Sequence, residues 1–371
     1  MRVVITAGGT AGHVNPALAV ARALIAHGVE ILYAGTPNSF EERLVAAAGI
    51  SFTGFFSKGF NRRKPWTLVV TAFKLLNSRS QAKRWLKSVS PDVVVAFGGY
   101  ASLPVALAAN SLGLPVLVHE QNARPGLANK LLAKKAAILA ISDERAITGF
   151  HPKANTIVTG NPLREELFGI DPAEARQELG FSLRASVLLI FGGSLGAHHV
   201  NQAALALAKT LLAECESLEV LHVTGANDYA WATELAKQIE LPTDRWQIVE
   251  YCYQMGQAYA AADLVLSRAG ATSLAELTAL GKASLLIPYP YAAADEQTAN
   301  AERLAASGAA LVWPDNQLEQ PEFGELLLKL LNSADMRSEI AEKAAILGKP
   351  EATEMIAQLV IGLANDSQVV I

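Results

Sequence analysis

His13 and Glu120 are the side chains whose neighbours in sequence best fit them to move a proton. His13 follows the turn Gly8-Gly9-Thr10-Ala11-Gly12, and Glu120 sits in the run His119-Glu120-Gln121-Asn122. Each lies just past an apolar run that reads as a strand, at the end where open α/β sheets hold their ligands. An imidazole titrates near neutrality and suits a general base; a carboxylate can do the same work or orient a base. The plain alternatives are a histidine that caps a helix and a carboxylate that positions Asn122. Two further glycine turns, Gly98-Gly99 and Gly192-Gly193-Ser194-Leu195-Gly196, close other strand-like runs. Glycine lets a ligand approach the backbone, and the N–H groups of a helix start attract anions. Three such turns point to a phosphate-bearing ligand, although each by itself also serves as a tight connection. None has the Gly-x-Gly-x-x-Gly form, Glu30 is only the nearest acidic residue downstream, and none closes with Gly-Lys-Ser/Thr. A dehydrogenase and a P-loop NTPase are therefore disfavoured.

The elements that hold these residues alternate in type. Apolar runs at 3–6, 30–33, 92–97 and 116–118 read as strands, with a helix pattern at 14–27 between the first two. The second half repeats the scheme, with strands at 187–191, 219–223, 264–267 and 284–287 and a helix from Ala197. This is the pattern of an α/β chain with two Rossmann-like, doubly wound parallel-sheet domains. A length of 371 residues suits two domains. The boundary falls near Gly160-Asn161-Pro162, giving residues 1–162 and 163–349; a helix at about 350–366 follows Pro350 and has the option of packing back on the first domain. With 51% hydrophobic and 18% charged residues the chain is not disordered. No apolar run reaches about 18 residues, so no transmembrane span is expected, and no secretory signal is read at the N-terminus. Cys215 and Cys252 make neither a disulfide framework nor a zinc site.

The net charge of -4 hides an asymmetry: residues 1–162 carry 18 basic and 7 acidic side chains, and residues 163–371 carry 13 and 28. From 49 to 91 there is no acidic residue. A basic half implies an anionic partner: a membrane surface, a nucleic acid or a phosphorylated substrate. Within it, Phe55, Phe56 and Phe60 precede Arg62-Arg63-Lys64, and a helix pattern runs over 65–87. Val69, Phe73 and Leu76 read as a core-facing stripe. Phe60, Arg62, Arg63, Lys64, Trp66, Lys83, Arg84 and Trp85 read as contacts to an anionic membrane surface. No nucleic-acid-binding motif accompanies the charge, so nucleic acid is not expected as a partner.

These residues also carry a resemblance. Gly8 to Pro16, Gly98-Gly99-Tyr100, His119-Glu120-Gln121-Asn122 with Gly126 and Asn129-Lys130, Gly160-Asn161-Pro162-Leu163-Arg164, Gly192 to Ala197 with Asn201-Gln202, Arg268-Ala269-Gly270-Ala271-Thr272-Ser273-Leu274-Ala275-Glu276, and Gln297 with Asn300-Ala301 follow one another in the order of the MurG family. The chain resembles that family over residues 1 to about 310. Its members are N-acetylglucosaminyltransferases that convert lipid I to lipid II in peptidoglycan synthesis, and so serve cell shape and division. The resemblance implies a GT-B fold and an inverting transfer from UDP-N-acetylglucosamine to the C4 hydroxyl of the muramyl residue of lipid I. It implies no metal site of the Asp-x-Asp type, and none is present in the sequence; no cofactor is expected. It places the enzyme peripherally on the cytoplasmic face of the inner membrane, among other cell-wall synthesis proteins.

The resemblance also assigns residues. The backbone near Cys252 would meet the uracil, with Met255 beside it. Glu276 would accept from both ribose hydroxyls. Ser194 and the helix start at Ala271, Thr272 and Ser273, continuing through Leu274 and Ala275, would hold the diphosphate, with Arg164 on the donor side. Gln297 and Asn300 would contact the sugar, and Thr10, Ala11, Gly12 and Asn122 would reach the cleft from the first domain. His13 is the expected base, with Glu120 as the other candidate or as its orienting partner. Three positions depart from the family pattern: Ala11 stands where many members have glycine, Leu195 replaces a common glutamine, and Glu296 replaces a histidine or glutamine. A glycolipid transferase or nucleotide-sugar epimerase on the same fold, and a catalytically dead cell-wall scaffold, are the competing readings; the run His119 to Asn122 and the intact His13, Glu120, Arg164 and Glu276 weigh against them.

Overall fold

The computed structural model describes residues 1–57, 67–193, 196–292 and 295–368, with side chains described from 74 onward in the helix that starts at 67 and up to 365 in the last helix. Phe60, Arg62, Arg63, Lys64, Trp66 and Ser194 lie outside the described residues, as does Leu195, and the side chains of Val69 and Phe73 are likewise outside them. The chain divides into two compact units, Met1–Arg164 with Pro350–Ile371, and Glu165–Lys349.

The first unit runs β1 (Arg2–Thr6), α1 (Ala11–Ala26), β2 (Glu30–Gly35), α2 (Phe40–Ala47), β3 (Ser51–Gly54), α3 (Thr67–Val89), β4 (Val93–Ala96), α4 (Leu103–Leu112), β5 (Val116–Glu120), α5 (Leu127–Leu132), β6 (Ile138–Ile141) and β7 (Thr156–Val158). The seven strands are parallel, in the order β3-β2-β1-β4-β5-β6-β7. Strands this apolar are covered on both faces. On one face, Val14, Ala17, Ala21 and Leu24 of α1 pack over Val3, Ile5, Val93 and Val95. On the other, Ala82 and Leu86 of α3 and several residues of α4 cover Val4, Val94 and Val118.

The second unit runs α6 (Pro172–Glu178), β8 (Ser186–Phe191), α7 (His198–Glu214), β9 (Leu218–Val223), α8 (Tyr229–Gln238), β10 (Trp246–Val249), α9 (Met255–Ala261), β11 (Leu264–Ser267), α10 (Ala271–Ala279), β12 (Ser284–Leu286), α11 (Glu296–Ala306), β13 (Leu311–Val312), α12 (Pro321–Asn332) and α13 (Ala334–Leu347). Its six strands are also parallel, ordered β10-β9-β8-β11-β12-β13. The chain then re-enters the first unit with α14 (Ala352–Gln368). Ile356, Ala357, Val360 and Ala364 repeat at near-helical spacing and join the core beside α1 and β4.

In both sheets the strand order reverses beside the strand that opens the unit, between β1 and β4 and between β8 and β11. The connections leaving those strands diverge to opposite faces and open a crevice at the carboxyl edge. The glycine turns that open each unit, and the turn at Gly98-Gly99, fall at these two points. Among the described residues, no helix is long and apolar enough to cross a membrane.

One expectation for α3 needs correction and another is narrowed. Trp85 is half-buried: its ring packs against Phe55 at 5.3 Å between centroids, so only part of it faces outward. Leu76, expected to face the core, is 61% exposed. The covered face is turned away from Leu76, and the burial here follows Leu75, Ser78, Ala82 and Leu86 instead. Arg84 and Lys74 are exposed and Lys83 is half-buried, as solvent-facing cations should be.

Candidate active site

In the first unit the site begins where the turns after β1 and β4 meet. A side chain on Gly99, whose φ is +74°, would overlap the Gly8 carbonyl oxygen, so the two turns pack backbone to backbone. A Cβ on Gly98 would lie 3.2 Å from the His13 ring and 3.0 Å from the Asn129 amide. His13 stands in the first turn of α1, whose Thr10 N-cap uses its hydroxyl on the His13 ring instead of on a backbone N–H. The separation from Nδ1 to Oγ1 is 2.8 Å. The ring keeps part of its surface open, yet dense packing around it lowers its pKa to about 4. The imidazole is thus neutral at pH 7. His119, fully buried beneath it, is also lowered to about 4, first by burial and then by the repulsion of His13; its Nε2 lies 3.0 Å from the Gly160 carbonyl oxygen.

Glu120 ends β5 and is buried. Its carboxylate accepts from the backbone N–H of Asn122 at 3.0 Å and of Gly126 at 3.0 Å, and from the Asn129 amide at 2.9 Å. A longer bond reaches it from the Asn122 amide at 3.5 Å. Burial raises its pKa, against the pull of these donors. Glu120 therefore ties the loop after β5 to α5. It makes no hydrogen bond to His13; the partner that orients the imidazole is Thr10, a correction to the expected pairing. Asn122, partly open to solvent, is held in place by this carboxylate. Arg164 is the last residue of the first unit.

In the second unit Gly196, with φ +81°, approaches the Thr224 carbonyl so closely that a side chain would overlap it. This pins the end of the turn to the neighbouring strand. The helix α10 follows Gly270 and begins with Ala271, Thr272 and Ser273, all half-buried, with Ala275 half-buried and Leu274 buried. Glu276, one turn further, is buried and accepts a hydrogen bond from the Tyr259 hydroxyl at 2.9 Å. Cys252 and Met255 stand half-buried before and at the start of α9. Gln297 accepts through Oε1 from the backbone N–H groups of Ala269 at 3.2 Å and Tyr289 at 2.9 Å, joining the ends of the connections after β11 and β12. Asn300, one turn along α11, is buried, and Glu296 is half-buried at the start of the same helix.

Several residues here were given no individual role from the sequence, although Arg268 and Asn201 stand in its family motifs. Arg268 is buried, donates to the carbonyls of Ile287 at 3.1 Å and Pro288 at 3.3 Å, and pairs with Asp315 at 2.5 Å. The same Asp315 meets His199 at 2.8 Å. On the other side of α7, Asp228 meets His198 at 2.9 Å and the Asn201 amide at 2.7 Å, and Asn201 continues to the buried His222 at 3.0 Å. Arg268 and Asn201 were visible as motif residues, and His198 only as a neighbour of a glycine turn. Among the described residues, no group of three His, Cys, Asp or Glu side chains is arranged to hold a metal ion.

The chain matches two family models, the glycosyltransferase family 28 N-terminal domain over residues 3–141 and the C-terminal domain over 187–358. It is 41% identical over 366 residues to a protein of Moorella thermoacetica named UDP-N-acetylglucosamine--N-acetylmuramyl-(pentapeptide) pyrophosphoryl-undecaprenol N-acetylglucosamine transferase, covering 97% of this chain and 98% of the relative. A protein of the same name from Desulfitobacterium hafniense is 37% identical, with 98% and 100% covered. Among solved structures, MurG of Acinetobacter baumannii superposes with a TM-score of 0.75 at 30% identity, covering 97% of this chain and 99% of that one. The paired parallel-sheet units are those of the GT-B transferases.

Proposed function

The chain belongs to glycosyltransferase family 28, and from that premise we propose that it transfers N-acetylglucosamine from UDP-N-acetylglucosamine to the C4 hydroxyl of the muramyl residue of lipid I, releasing UDP and forming lipid II. The observation that carries this reading is the match, over nearly the full chain, to transferases so named.

The residues fit the chemistry. His13 takes the acceptor proton. For Nε2 to be the basic atom, Nδ1 must carry the hydrogen and donate it to the Thr10 oxygen, and Thr10 is the partner in place. A pKa near 4 keeps the ring unprotonated at pH 7 but makes it a weak base. The proton therefore leaves late, once bonding to the anomeric carbon has acidified the hydroxyl. Glu120 holds Asn122 and the loop after β5 in shape rather than taking the proton. On the donor side, Ser194 and the start of α10 hold the diphosphate, where the N–H dipoles of a helix start stabilise the departing charge. Glu276 takes the ribose hydroxyls, the segment from Cys252 to Met255 the uracil, and Gln297 with Asn300 the sugar. The enzyme works peripherally at the cytoplasmic face of the membrane, where Lys74, Arg84 and the exposed Leu76 of α3 meet anionic lipid.

The test is incubation with labelled UDP-N-acetylglucosamine and a short-chain lipid I analogue in the presence of EDTA. Labelled disaccharide lipid is the expected product. Transfer that needs added magnesium would overturn the metal-free site. No transfer under either condition, in detergent or with lipid, would move the assignment to another glycolipid acceptor or to a scaffold.

A further inference from the structure

Tyr259 is fully buried in the second unit, stands on one element given to the donor and touches two others. It stands on α9, which begins at Met255. Its ring meets Phe191 edge-on, with centroids 5.9 Å apart and planes at 80°, at the end of β8 where the turn at Gly192 starts. Its hydroxyl donates to Oε2 of Glu276 on α10 at 2.9 Å, in a bond buried from solvent.

We propose that Tyr259 is a positioning residue for the donor: its hydroxyl fixes the Glu276 carboxylate so that the ribose diol meets one orientation of the acceptor oxygens. The inference rests on the reading of Glu276 as the ribose acceptor. The terminal torsion of a glutamate is broad and roughly two-fold, so an unheld carboxylate presents its oxygens over a range of angles. A bond from a rigid phenol narrows that range before the ligand arrives, and ordering completed in advance is not charged against binding. Only the phenol hydroxyl is needed for this, because α9 is anchored elsewhere. Lys282 donates to the carbonyls of Ala260 at 3.3 Å and Ala262 at 3.1 Å, Arg176 donates to that of Ala261 at 3.2 Å, and Arg176 pairs with Asp263 at 2.8 Å. Two cations on the last carbonyls of a helix satisfy them and complement its dipole. Removing the hydroxyl therefore leaves the ring and the helix where they are.

The experiment is steady-state kinetics of Tyr259→Phe, Glu276→Ala and the double variant, with UDP-N-acetylglucosamine and its 2′-deoxyuridine counterpart as donors. Leu330→Ala, a core truncation in α12, serves as a control for lost stability. Tyr259→Phe should raise the donor KM about tenfold or somewhat more with kcat nearly unchanged, at the low end of the scale of one hydrogen bond to a charged group. It should also narrow the preference for ribose over deoxyribose, and add nothing to Glu276→Ala in the double variant. If Glu276→Ala raises the donor KM and Tyr259→Phe does not, the positioning role falls and the donor reading stands. If Glu276→Ala leaves the donor KM unchanged, the donor reading falls and takes the inference with it. If Leu330→Ala raises KM as much as Tyr259→Phe at an equal loss of melting temperature, the effect is general loosening and the positioning role falls.

Discussion

Nδ1 of His13 lies 2.8 Å from the hydroxyl of Thr10, three residues before it in the same helix start. In the proposed mechanism this contact leaves Nε2 for the acceptor proton and makes Glu120 a brace. With burial holding the imidazole near 4, kcat/KM should be flat through neutrality and fall only as the pH nears about 4, without an inflection near the ordinary histidine value. His13→Ala should lower kcat by about 10²–10⁴-fold and leave donor affinity nearly unchanged. Thr10→Val should cost less, about tenfold, and Thr10→Ser should recover most of it. An unchanged kcat in His13→Ala would remove the residue from the mechanism.

Glu120→Gln separates a base from a brace. Glutamine keeps one acceptor and turns an NH2 group toward donors at Asn122, Gly126 and Asn129, so stability should fall by about 1–3 kcal/mol. The loss in kcat should be well below that of His13→Ala. Urea unfolding beside kinetics reads both. A kcat loss matching His13→Ala at full stability would make Glu120 the base.

Along α3, charge and packing separate by position. The pair Lys83→Glu and Arg84→Glu should weaken binding to anionic vesicles about tenfold or more at low salt, since each cation near such a surface contributes about 1 kcal/mol. Trp85→Ala should leave vesicle binding intact and cost about 2 kcal/mol of stability, because its ring fills space against Phe55. Vesicle co-sedimentation and thermal melting distinguish them, and the reverse pattern would return Trp85 to the surface.

Acid should weaken the fold through its buried imidazoles. His13 and His119 are lowered to about 4 and His222 to about 3, each first by burial. Between those values and the ordinary 6.5 the unfolded chain binds protons that the folded chain does not, so stability falls as the pH drops. Glu120, raised by burial, acts in the opposite sense, because its folded form takes up a proton first as pH falls. Three against one leaves a net loss. Melting temperatures from neutral pH to about 4 should decline, and His222→Gln, which keeps a donor for Asn201, should flatten the decline. An equal slope in wild type and variant would contradict this.

Much of this layout was written in the sequence where the chain had to bend sharply. The turns at 8–12, 98–99 and 192–196 demand backbone that glycine allows, and the strands leading into them are apolar on both faces. Strands β3, β7 and β10 were silent because they are half-covered edge or near-edge strands, β13 because it has two residues, and β6 because its run merges with alanines on either side. The partners that complete the site were silent for another reason. Tyr259 and Glu276 stand on different helices, Arg268 meets Asp315 from a distant strand end, and Phe55 reaches Trp85 across the sheet face. No local period carries such pairings.

The hydroxyl of Thr353 meets both the N–H and the carbonyl of Leu163, at 2.8 and 2.7 Å, stitching the start of α14 to the point where the chain first leaves its opening unit. During synthesis, all of 165–349 emerges between those two segments. The interposed unit has every residue of its sheet and helices before Ile356 and Val360 exist to pack beside α1 and β4. The half made first is thus the half completed last, and until α14 arrives an apolar face beside α1 and β4 stays open to water and to whatever holds nascent chains.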